Sequence, residues 1–177
     1  MTGLILAYKG ISPTIAADAF IAQTAVITGD VVIGRQSSIW YGCVMRGDVH
    51  RIRVGERTNV QDGTIVHVTR ERFACTIGSG ITIGHRAILH GCTLEDGCFI
   101  GMGATVMDGA VVEGGAMVAA GALVTPGKVV KKGELWGGSP AKCLRRLTDE
   151  ELAFFPVSAA HYAALGADYL AEVEAGH

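Results

Sequence analysis

Residues 94–135 read as seven consecutive hexads, LEDGCF, IGMGAT, VMDGAV, VEGGAM, VAAGAL, VTPGKV and VKKGEL, closed by Trp136. Each opens on an aliphatic residue, so Leu94, Ile100, Val106, Val112, Val118, Val124 and Val130 recur at a strict interval of six. Towards the N-terminus the rhythm continues with interruptions. Ile15, Ile21, Ile27, Ile33, Ile39 and Met45 keep the interval. Val54, Val60 and Val66 resume it after a three-residue insertion, and Ile77, Ile83 and Leu89 after a five-residue insertion. One residue is then skipped before Leu94, and all twenty anchors are apolar. The fourth residue after an anchor is mostly small, as at Ala19, Ser37, Cys43, Thr64, Ala87, Thr93, Cys98 and Ala104. Gly often follows the anchor itself, at Gly34, Gly55, Gly78, Gly84 and Gly101. Each hexad is therefore a short strand plus a corner. The anchor faces a core, the small residue lets the backbone pass the corner, and Gly supplies turns that side chains would block.

This is the pattern of hexapeptide-repeat parallel β-helices. The resemblance to the left-handed form is close and spans residues 15–141, although that form breaks the usual right-handed crossover rule. Three hexads make one triangular coil, so the repeats predict about 6.7 coils in a prism roughly 30 Å long. A doubly wound α/β fold would need amphipathic helices between strands, and none appears before residue 141. The predicted organisation is a left-handed β-helix over residues 1–141 and a helical tail over 142–177, packed along the prism. Thr148 to Glu151 form a capping box with acids in the first turn. Pro156 is expected to break that helix, leaving residues 157–174 as a second one with Leu165, Tyr169 and Leu170 as apolar contacts.

Composition agrees with a packed repeat. The chain has 177 residues, 25 of them Gly, with 49% hydrophobic and 18% charged residues, and a mean hydropathy of +0.36. Disorder and flexible linkers need far lower hydrophobicity. The longest apolar stretches, such as residues 117–124, fall well short of the ~20 residues of a spanning helix, so no membrane is expected. No basic tract exists and the net charge is −2, which argues against nucleic acid as a partner. The N-terminus lacks a basic region leading into an apolar run, so no secretory leader is expected. Five cysteines without CxxC spacing read as small buried fillers in a reduced, cytoplasmic protein.

The repeat frame also places the histidines. His67 and His90 each follow an anchor, and their separation of 23 is one coil plus the five-residue insertion. They occupy one slot on one face in adjacent coils, with roots ~5 Å apart, as two ligands of one metal would. Arg46 follows Met45 and extends the same column. His85 and Asp62 lie two after their anchors, also 23 apart, on a different face. A trimer about a threefold axis reconciles these positions. The His67/His90 face of one subunit meets the His85/Asp62 edge of the next, giving three interfacial His₃ sites with an open fourth position. The same docking brings Asp62 near Arg46. Arg46 and Asp48 read either as ion-pair partners that set the trimer or as catalytic groups, and Gln61 and Asp62 also suit a corner. His50, His161 and His177 read as ordinary surface histidines.

Several motifs together resemble a known family. They are Arg46, Gly47 and Asp48; then Asn59, Val60, Gln61, Asp62 and Gly63; then His67; then the run from Gly84 through His85 and His90 to Gly91. Order, spacing and residue types are similar to the gamma-class carbonic anhydrases and their carbonic-anhydrase-like relatives. The resemblance implies a homotrimer whose metal, Zn²⁺ (or Fe²⁺ or Co²⁺), is bound by His67, His85 and His90 at subunit interfaces. It implies that Arg46, Asp48, Gln61 and Asp62 support the metal site or the interface, and that carbon dioxide and bicarbonate are substrate and product. Gln61 would orient the metal-bound water, and Tyr162 is the candidate for a family tyrosine near the site. The sequence departs from the family in two places. Val49 replaces a glutamate after the Arg-Gly-Asp run, and only nine residues separate His67 from Ile77, where better-studied members carry a longer acidic loop with a proton-shuttle glutamate. Glu71 lies in the short loop, within a basic stretch. Two rival readings are a catalytically weak or inactive metal-binding scaffold trimer, and a hexapeptide-repeat acyltransferase or thioesterase, which needs no metal.

Overall fold

A computed structural model of the chain describes residues 3–175; His177 lies outside the described residues. The repeats wind into a left-handed parallel β-helix of about seven coils. Three flat faces run its length. One stacks Phe20–Ile21, Ser38–Ile39, Asn59–Val60, Thr82–Ile83, Phe99–Ile100 and Met117–Val118 in parallel register. A second, the histidine face, carries Ile65–His67, Ile88–His90, Thr105–Val106 and Leu123–Val124. The third carries Cys75–Ile77, Thr93–Leu94, Val111–Val112 and Val129–Val130. The long strands Val26–Ile33 and Val44–Val54 turn the corner between the second and third faces. Glu134–Gly138 closes the last coil, pairing antiparallel with Ala141–Arg146.

Every anchor from Ile21 to Val130 is buried, while Ile15 and Trp136 at the two ends are partly covered. Removing each aliphatic side chain from water contributes about 1.5–3 kcal/mol. The residue two before an anchor also faces inward, as Ala104, Ala110 and Ala116 show. Thr93 departs from the expected corner role. The skipped residue shifts the inward slot to Cys92, which is buried, and leaves Thr93 half-exposed. The turning glycines are those three after each anchor, from Gly97 to Gly133, with φ between +66° and +73°. The glycines directly after anchors serve close approach instead: a Cβ on Gly84 would lie 2.6 Å from the Met102 nitrogen of the next coil.

The tail is one helix, Asp149–Glu174, with Pro156 inside it. The expected break does not occur, because the segments on both sides of Pro156 are anchored to the same face. Phe155, Ser158 and Ala159 are buried there. Phe155 stacks on Phe99 at 5.1 Å, and further along Tyr162 and Tyr169 pack edge-on to Trp40. Packing thus outweighs the one backbone hydrogen bond that proline removes. The Thr148–Glu151 capping box is formed. Among the described residues no helix is long and apolar enough to cross a membrane.

Candidate metal centre

His67 and His90 are paired rung to rung. Their rings converge, with His67 Nδ1 3.1 Å from His90 Nε2. Two nitrogens bound to one tetrahedral zinc at about 2.05 Å lie about 3.3 Å apart, so this pair has the spacing of half a metal site.

Each ring is held from behind by a carboxylate. Asp48 Oδ1 lies 3.1 Å from His67 Nε2, and its other oxygen accepts from Arg46. The three-residue insertion makes this reach possible, since Asp48 opens the bulge where residues 48–51 stand opposite Asp30. Burial alone would raise the Asp48 carboxyl, but hydrogen bonds from Arg46 and His67 and the Arg46 charge hold it below its usual range. For His67, burial outweighs Asp48 and lowers the imidazole, favouring the neutral ring that a metal requires.

His90 Nδ1 lies 2.6 Å from Asp108 Oδ1. Asp108 in turn accepts from Thr69 Oγ1 at 2.9 Å. Thr69 belongs to the short loop after His67, which folds back through a bridge between Thr69 and Phe73. Gly91 (φ +54°) makes room for this cluster: a Cβ there would collide with Asp108 Oδ1 and sit 2.7 Å from Phe73 Cβ. Asp108 and Thr69 belong to none of the motifs above. The repeat frame carries no signal for Asp108: the skipped residue makes this coil 17 residues long, so Met107 and not Asp108 is level with His90.

His85 lies on the edge between the helix-covered face and the histidine face, in the corner column Tyr41, Asp62, His85 and Met102. Its Nδ1 is 2.9 Å from Asp62 Oδ2, and among the described residues its Nε2 makes no hydrogen bond. Among the described residues no three His, Cys, Asp or Glu of one chain converge as a metal site. The three histidines therefore lie apart in one chain, His67 with His90 on a face and His85 on an edge.

Gln61 is buried, and its Nε2 donates to Asn59 Oδ1 at 3.1 Å. Tyr162 projects from the helix towards the same edge; burial and the nearby Asp62 charge push its phenol up. Val49 packs against the core, and Glu71 is exposed on the loop. His50 accepts from the Arg51 backbone N–H at 2.8 Å, and His161 lies against Tyr162, so neither joins the cluster. Cys92 is also separate: contact with the Cys75 thiol, 4.0 Å away, and burial keep it protonated.

No protein-family model matches the chain. Among curated relatives it is 45% identical over 149 residues to the carbonic anhydrase of Geobacillus kaustophilus, covering 84% of this chain and 81% of that protein. It is 53% identical over 166 residues to the mitochondrial gamma carbonic anhydrase 1 of Arabidopsis thaliana, covering 91% of this chain and 60% of that protein. The chain belongs to the gamma carbonic anhydrase family. It spans about 60% of the length of the plant gamma carbonic anhydrases it matches. A crystal structure of a hexapeptide transferase family protein from Anaplasma phagocytophilum superposes with a TM-score of 0.91 at 53% identity, covering 96% of this chain and 99% of that one.

Proposed function

We propose that the chain forms a homotrimer, binds a divalent metal between subunits, and catalyses the reversible hydration of carbon dioxide to bicarbonate. The observation that carries this reading is the pairing of each histidine with its own aspartate: His67 with Asp48, His85 with Asp62, and His90 with Asp108. Such carboxylates fix ring orientation and leave one nitrogen of each imidazole for a metal. His67 and His90 of one subunit and His85 of the next would hold it, with Zn²⁺ the default for three imidazoles and Fe²⁺ or Co²⁺ the alternatives. When bound, such a metal lowers the pKa of its coordinated water to about 7.

The trimer is supported by the apolar residues around the two half-sites. Ile65, Ile88 and Met107 are exposed on the histidine face, and Tyr41 and Met102 on the edge that carries His85. Docking edge to face would cover both sets and exclude water from the reacting carbon dioxide. Gln61 would orient the nucleophilic water, Arg46 would hold Asp48, and Asp62 would fix His85. Proton release would go to water or buffer, since Val49 cannot carry a proton. Five unpaired cysteines support a reducing location, the cytoplasm.

Val49 and the short loop favour a second reading, a metal-binding scaffold trimer without useful turnover. Metal analysis combined with stopped-flow hydration, on protein loaded separately with zinc and iron, separates the two. Hydration that vanishes on metal removal supports the enzyme. One metal per subunit without hydration selects the scaffold, and no metal with hydration-free protein sinks both.

A further inference from the structure

Beneath the C-terminal helix, a hydrogen-bonded chain of buried polar side chains runs from the helix to Gln61. Ser158 Oγ lies 2.9 Å from Thr82 Oγ1. Asn59 Nδ2 donates to Thr82 Oγ1 at 3.0 Å and to the Ile81 carbonyl at 3.2 Å. Gln61 Nε2 then donates to Asn59 Oδ1. Asn59, Thr82, Gln61 and Ser158 are all buried, on a face whose other outward residues include Phe20, Phe99 and Met117.

The direction of this chain is determined from Asn59 to Gln61. A backbone carbonyl only accepts, so the Asn59 atom facing Ile81 is its amide nitrogen. Both Asn59 N–H bonds are spent, on Ile81 and Thr82, and its oxygen is left for Gln61. Gln61 must answer with its nitrogen, so Gln61 Oε1 is the free end. No side-chain nitrogen or oxygen among the described residues is both buried and unpaired, so Oε1, which has no hydrogen-bond partner among those residues, reaches solvent beside Asp62. Thr82 Oγ1 accepts from Asn59 and also pairs with Ser158 Oγ, where either hydroxyl can donate, so the helix braces the hydroxyl that Asn59 binds.

We propose that Thr82 and, from the helix, Ser158 are positioning residues that hold Asn59, and through it the Gln61 amide, in the orientation the Ile81 carbonyl dictates, with Gln61 Oε1 towards the edge that carries His85. The orientation stands on the hydrogen bonds alone; its catalytic consequence rests on the carbonic anhydrase reading. An acceptor oxygen at Gln61 would hold one hydrogen of the nucleophilic water and aim its lone pair at carbon dioxide, which an amide nitrogen there would not do.

The test uses the full chain labelled with ¹⁵N in its side-chain amides. The sequence has a single Asn, Asn59, and three Gln, Gln23, Gln36 and Gln61, so their signals are assignable. Side-chain amide hydrogen exchange and hydration kinetics are measured on the parent, Thr82→Val, Thr82→Ser and Ser158→Ala. Thr82→Val keeps the shape and removes the hydroxyl. It is expected to speed Asn59 and Gln61 exchange roughly tenfold and to lower kcat by a similar factor with KM little changed. Thr82→Ser should restore both, and Ser158→Ala should fall between. Unchanged Gln61 exchange in Thr82→Val overturns the orientation claim whether or not the protein hydrates carbon dioxide. Faster exchange with unchanged kcat overturns the positioning role. A parent without hydration, whatever the exchange shows, overturns the catalytic half together with the function proposed above.

Discussion

Asp108 holds one of the two face histidines although it stands in a corner, outside any motif. Its carboxylate touches His90 on one side and Thr69 on the other, so the short loop after His67 steadies the second histidine of the same half-site. Asp108→Asn keeps the shape but weakens the grip on His90 Nδ1. It is expected to lower metal affinity by about 10–100-fold, read by competition with a coloured chelator, and an unchanged affinity would remove Asp108 from the site. The placement of His67, His90, His85 and Asp62 was legible in the sequence because insertions subtract cleanly from a fixed period. Asp108 was not, because His90 is level with Met107, one residue earlier. The contact depends on how far a side chain reaches around a corner, and periodicity carries no such information. Asn59 was visible within a motif, but its direction of hydrogen bonding depends on the Ile81 carbonyl, which only coordinates reveal.

At the scale of elements, the C-terminal helix shows what local rules decide. Its start was readable, since Thr148 and Glu151 satisfy each other's backbone N–H groups. Its continuity through Pro156 was not, because the contacts that hold both halves lie on coils more than fifty residues away in sequence. Pro156 is exposed, so Pro156→Ala should restore a helical hydrogen bond without disturbing packing and raise Tm by several degrees. A lowered Tm in a melting experiment would mean that the ring itself packs usefully. Glu151 gives the helix a pH signature. Hydrogen bonds from Arg145, then from the Thr148 backbone, hold its carboxyl at about 2, against an ordinary 4.5. A carboxyl depressed by folding stabilises the protein above its unfolded value, and that contribution is lost as pH falls from 4.5 towards 2. Glu151→Gln should therefore melt lower than the parent at pH 6, with the gap closing through this window. A gap independent of pH down to 2 would show that the charge is not what matters.

For the whole molecule, the division of the proposed metal ligands between a face and an edge makes a prediction that no single chain can satisfy. His67→Ala and His85→Ala should each lose metal when alone. In mixed trimers, an interface that joins the His67 and His90 of one variant to the His85 of the other is intact. Co-refolding the two should therefore regain bound metal, together with whatever hydration the parent shows. Metal retained by either variant alone, or none regained by the mixture, would exclude a shared site. The architecture that permits this was legible from the anchors, because twenty inward residues constrain one prism. The exposure of Ile65, Ile88 and Met107 on the histidine face was not legible in that way, since the inward period says nothing of how apolar the outward positions are.

The helix that covers the Phe20, Ser38, Asn59, Thr82 and Phe99 rungs is made after all of them. It runs back from Phe99, beside Phe154 and Phe155, to Phe20, where Gly166 brings its backbone close to Ser38. While the chain is still on the ribosome, then, five completed rungs show a bare aromatic surface, and their polar residues are open to water. The nascent protein cannot mature coil by coil from its N-terminus. The earliest coils stay sticky until the helix has been made, which makes the docking of that helix, rather than the winding of the repeats, the event that finishes this face.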